Sequence, residues 1–159
     1  MSDERTLRLA SLKLTPELLQ QFVTYERTLL AALKGTSKSE WAGRYAFGHA
    51  EALKASHLDA MAQQKLRVQV QDFCGRASAA GKVKARLETL QKKPGADAET
   101  LAKAQRELTE LEAMRDFSTR YGEEALALLK DRRAELLELH ETLVRAEGTG
   151  HLHSGPMLS

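Results

Sequence analysis

Isoleucine and asparagine are absent from this 159-residue chain, and valine occurs five times. So few β-branched residues argue against an all-β or a doubly wound α/β fold. Cysteine occurs once, at Cys74, which removes any intrachain disulfide and any Cys-based zinc site and fits a reducing compartment. No stretch approaches the ~18 uninterrupted apolar residues of a membrane span. The opening Met1-Ser2-Asp3-Glu4-Arg5 is acid-bearing and lacks an apolar run, unlike a secretory or transit peptide. The expected compartment is the cytoplasm, with no membrane contact. A net charge of +2 advertises no global attraction to nucleic acid.

Helix formers fill the space those absences leave. There are 26 Leu and 23 Ala, and charged residues make up 29% of the chain, too apolar a mixture for a disordered segment. Thr15-Pro16-Glu17 reads as a helix start. Thr15 is the cap, proline sits where its missing N–H is harmless, and Glu17 faces the positive end of the dipole. Leu18, Leu19, Phe22, Tyr25, Leu29 and Leu33 continue it as a stripe, and Lys34-Gly35 stops it. This predicts a helix over 15–34, after an arm or frayed segment over 1–14.

Ser37 and Glu40 have capping-box spacing, and no proline follows until Pro94. Leu66, Val70, Phe73, Ala77, Ala80, Val83, Leu87 and Leu90 form a heptad-like seam, weakened by Gly75 and Gly81. Pro94-Gly95 ends that segment and Asp97 caps the next, whose stripe runs through Leu101, Ala104, Leu108, Leu111, Met114, Phe117 and Tyr121. Past Gly122 the apolar face widens. Gly148-Thr149-Gly150 predicts the helix end, with a disordered tail over 148–159.

A four-residue turn forces its two arms side by side and antiparallel. The expected fold is therefore all-α. A long antiparallel two-helix coiled-coil hairpin, about 38–93 and 97–147, carries the 15–34 helix on its base, and 15–147 make one domain. The register brings residue i opposite roughly 190−i, so that Phe73 meets Phe117, Phe47 meets Leu143 and His49 faces His140. Charge supports the pairing. Residues 1–93 carry 16 Lys/Arg against 9 Asp/Glu (+7), and residues 94–159 carry 8 against 13 (−5). The competing arrangement breaks at residues 75–81 and near Gly122 and folds into a compact bundle. In outline the hairpin resembles antiparallel coiled-coil stalk proteins and helical secretion chaperones, a likeness of shape that does not give function.

Motifs for chemistry fail one by one. The run from Gly75 to Lys82 has five residues between its glycines, Val83 where a P-loop has Ser or Thr, and no strand before it. The residues three before His49 and His140 are Ala46 and Leu137, so the Glu-x-x-His repeat of di-iron bundles is missing. His151 and His153 supply two ligands at most. Cys74 lies beside Phe73 on the seam, where cysteine is ordinarily structural. No metal, cofactor or catalytic residue is expected, and the chain is read as not an enzyme. A long hairpin presents surface rather than a pocket.

Two clusters point to binding. Trp41, the only tryptophan, stands with Tyr45 at the base, as core or as an anchor for another protein. Lys82, Lys84, Arg86, Lys92 and Lys93 crowd the tip. There they can complement a helix C-terminus and the acidic arm, dock an acidic partner, or neutralise phosphates. The expected function is a non-enzymatic interaction protein (an adaptor, assembly factor or stalk-like component) with another protein as partner and homo-oligomerisation open. The alternative is a nucleic-acid-associated accessory protein using the basic tip.

Overall fold

The structure is a computed structural model that describes residues 12–154, with side chains for residues 12–147. Its elements are α1 (Pro16–Leu33), a 3₁₀ turn (Lys38–Glu40), α2 (Trp41–Ser56), α3 (Ala60–Lys92), α4 (Ala98–Ala113), α5 (Arg115–Tyr121), α6 (Glu123–Asp131) and α7 (Arg133–Ser154). The described residues contain no strand, and none of their helices is long and apolar enough to cross a membrane.

Local chemistry explains the boundaries of α1 and of the Pro94 turn. Thr15 Oγ1 accepts from the Leu18 amide at 3.1 Å, Pro16 takes the first helical position, and Gly35 carries a φ of +72° just beyond the end. At the turn Gly95 has a φ of +76°, and Asp97 accepts from the Glu99 amide at 3.4 Å. Antiparallel packing of α3 on α4 follows. Arg86 bonds Glu107 at 2.8 Å, and farther back along α3 the Phe73 ring meets that of Phe117 in α5 edge-on with centroids 6.0 Å apart.

The arms expected over 38–93 and 97–147 are both interrupted. The first breaks at residues 57–59, where His57 takes a left-handed φ of 61° and Asp59 caps α3 by accepting from the Ala62 amide at 2.7 Å. Gly75 and Gly81 break nothing. Two glycines cost about 2 kcal/mol in helix propensity, which burial of Phe73, Cys74, Ala77 and Ala80 along the same helix outweighs. The second arm breaks at Met114 (φ 47°), at Gly122 (φ 97°) and at Arg132. Met114 accepts a strained backbone while its side chain is buried in the core. The predicted stop at Gly148 is also passed, since α7 runs on to Ser154. Ser37 does bond Glu40, at 2.7 Å, but it opens the 3₁₀ turn, and α2 starts only at Trp41.

The break at His57 redirects α2. Instead of continuing α3, it lies on α1, and Phe47 ends up 60% exposed rather than packed on Leu143. The two helices approach closely at Gly48. A β-carbon there would stand 2.8 Å from the Ala32 Cβ and 3.2 Å from Leu29 Cδ1. Ala32 cannot swing aside, so the backbones would have to part. Gly48→Ala should therefore destabilise by about 1–2 kcal/mol, overpacking outweighing the helix-propensity gain. Gly43→Ala in the same helix, with open space around it, should gain up to ~1 kcal/mol. Urea unfolding of the pair checks the sign.

The main core joins α1, α3, α5, α6 and α7 through Phe22, Tyr25, Leu29, Leu66, Phe73, Phe117, Leu129 and Leu136. A smaller core of Ala80, Val83, Leu87, Ala104 and Leu108 holds α3 to α4 toward the turn. The fold is thus a helical base carrying an arm. At ~1.5 Å per residue the 33 residues of α3 run about 50 Å through both.

Candidate interaction groove

α1 and α7 run parallel. Arg132 donates to Gln20 at 2.9 Å, and Arg27 pairs with Glu135 farther along, which places the end of α1 level with residues 142–146. α7 is the longer helix and outruns α1. The space left beyond the end of α1 is a groove of about 710 Å³, open to solvent and mainly apolar. Leu30, Leu33 and Trp41 line one side, Thr142, Arg145 and Ala146 of α7 the other, and the 35–38 connection closes an end. Its volume falls within the ~300–1,000 Å³ of ligand clefts, so the expectation of surface without a pocket is corrected. A straight hairpin has no such site. The groove arises from two helices of unequal length and from a turn that brings Trp41 around.

Trp41 stands half-buried in the groove wall, its ring 6.1 Å from that of Tyr45. Lys34, Lys38 and Arg145 stand around the opening, and among the described residues no Asp or Glu lines it. Tyr45 does a different job. Its hydroxyl accepts from Arg67 Nη1 at 2.8 Å, and its ring stacks on His49. Truncating Tyr45 would disturb the interior as well as the surface.

Behind the groove lies a polar cluster that the sequence reading passes over. The Tyr25 hydroxyl is 2.5 Å from His49 Nδ1. Glu26 is 6% exposed and its Oε2 has no hydrogen-bond partner among the described residues, as have Nε and Nη2 of Arg67. Burial pushes the Glu26 carboxyl up to about 7, against the opposing attraction of Arg67 and with help from Glu147. Burial likewise raises the Tyr25 hydroxyl above its usual range and lowers His140. A cavity of about 20 Å³ between α1, α3 and α7 is lined by Glu26 and His140, room for one water-sized group. The signal was present in the spacing. Glu26 falls four residues after Phe22 and three before Leu29, and Arg67 falls between Gln63 and Val70, so both charges sit at core positions of their helices.

His49 and His140 were expected to face one another. His49 is instead committed to Tyr25, and His140 to the cavity with Glu26. No group of three or more His, Cys, Asp or Glu among the described residues could hold a metal ion. Cys74 is fully buried, its thiol 3.7 Å from the Leu136 carbonyl, and burial pushes it up to about 12, far from a reactive thiolate.

The basic cluster is separate from the groove. Lys82, Lys84, Arg86, Lys92 and Lys93 are all exposed near the Pro94 turn, and of the five only Arg86 forms an ion pair among the described residues. The structure therefore brings Trp41 and Tyr45 together at the base and leaves the five cations on the arm. No family model matches the chain, and no curated protein or solved structure is significantly similar to it.

Proposed function

We propose that this is a non-enzymatic interaction protein, an adaptor, assembly factor or stalk-like component, that grips another protein through the groove at the end of α1. One observation carries the reading: the only tryptophan of the chain stands half-buried in the wall of a 710 Å³ apolar groove. Aromatic side chains in such settings contribute most of the energy at protein interfaces, because they desolvate a large area at low entropy cost. The arm, with its own small core, sets the basic tip apart from that groove. The second reading is association with nucleic acid through the tip, favoured by the exposure of Lys82, Lys84, Lys92 and Lys93.

Affinity capture from the source cells, with four chains compared, separates the two. Trp41→Ala should weaken the protein partner by at least about tenfold, with helicity retained. Reversing the five tip cations to Glu should leave that partner in place. If retention on DNA or RNA is salt-dependent and lost only in the reversed chain, the second reading replaces the first. Tyr45→Phe, which keeps the ring and gives up the bond to Arg67, should lower stability more than binding.

A further inference from the structure

We infer that the groove takes an acidic amphipathic helix of a partner protein. This rests on the groove being a docking site and adds what docks there. The walls are helices, and helices have spent their backbone hydrogen bonds internally. An extended peptide laid here would find no strand edge to pair with and would desolvate its own N–H and C=O groups. A helical partner brings those bonds already made. Position fits too: α7 continues to Ser154 beyond the end of α1 at Leu33, so a further helix entering the groove lies where a longer α1 would have lain. Leu30, Leu33, Trp41 and Ala146 give it an apolar bed.

Charge selects the sign of the partner. Lys34 stands at the end of α1, Lys38 in the 3₁₀ turn and Arg145 on α7, three cations from three elements around one opening that no Asp or Glu lines among the described residues. Carboxylates flanking an apolar stripe meet a cation on either side, whereas Lys or Arg in their place would be repelled from both. The openness of the groove favours a helix over a small amphiphile, since small-molecule sites enclose most of their ligand.

Trp41 is its own reporter. Two synthetic tryptophan-free helices serve as probes, both with Leu at i, i+3, i+4 and i+7, one with Glu and the other with Lys at the remaining positions. Lauric acid serves as the small amphiphile. The Glu helix should shift the emission of Trp41 saturably and bind at least about tenfold more tightly than the Lys helix. The full chain carrying Lys34→Glu and Arg145→Glu should reverse that preference with its helicity unchanged. Equal binding of the two helices overturns the inference. So does saturation by lauric acid while both helices fail, or an emission shift that appears on concentrating the protein alone, which would make a second copy the occupant. If Trp41→Ala loses the cellular partner while the Glu helix fails to bind, the docking reading stands and the acidic helix falls. If Trp41→Ala changes nothing, both fall.

Discussion

Phe73→Ala and Phe117→Ala are each expected to lower the unfolding free energy by about 3–5 kcal/mol. Both rings are fully buried and lie 6.0 Å apart at an interplanar angle of 69°, and Phe117 also meets Tyr121 at 4.6 Å. Domains of this kind hold roughly 5–15 kcal/mol in total, so either change removes a large share of it. The pair joins α3 to the short helix α5, which at seven residues has little stability of its own. Because each ring loses its partner when the other is truncated, the double variant should fall short of the sum by ~1 kcal/mol. Urea unfolding of the four chains reads this directly. Strict additivity would show that the rings do not touch and would remove the antiparallel register of α3 and α5.

The second large effect is electrostatic. A carboxyl held near 7 in the folded chain and near its ordinary 4.5 when unfolded binds its proton more tightly in the fold. Its contribution is therefore least costly at low pH, and stability is lost as pH rises from about 4.5 through about 7. The span corresponds to about 3 kcal/mol, needing little discount for screening because Glu26 is 6% exposed. Glu26→Gln resembles the protonated side chain. It should match the wild type near pH 4.5, exceed it by up to ~3 kcal/mol at pH 8, and flatten the profile between. His140 acts in the opposite sense: its lowered proton affinity costs stability as pH falls below the ordinary histidine range. Both chains carry His140, so its own titration is common to the two profiles, and their difference reports Glu26 together with its coupling to His140 across the shared cavity. A difference that does not grow between pH 4.5 and 8 would mean that the carboxylate is solvated, through Arg67 or through water in the cavity beside it.

Glu26 also shows where reading from the sequence stopped. Its position on the α1 stripe was visible in the spacing. A stripe argument nevertheless sorts residues by polarity and assigns a charge to solvent, and nothing local says that Arg67, forty-one residues away, will be brought near. The groove was hidden for a similar reason. Apart from Trp41, the residues lining it read as ordinary helix or loop positions, and the cavity exists because α7 extends past α1 and a turn brings Trp41 around.

Sequence alone determined the helical class, the start of α1 at Thr15-Pro16, the turn at Pro94-Gly95 with its Asp97 cap, and the meeting of Phe73 with Phe117. Those features rest on interactions within a few residues, plus a turn so short that it dictates the register of what it joins. Tertiary structure decided the rest: a break at His57 in preference to Gly75 or Gly81, the left-handed backbone at Met114, the swing of α2 onto α1, the burial of Glu26 beside Arg67, and the groove at Trp41. At each of those points the local preferences differ by about 1 kcal/mol per residue. Burying one large apolar side chain is worth about 1.5–3 kcal/mol. Where local preference and burial disagree, packing sets the outcome, and packing is a property of the assembled helices rather than of any one segment.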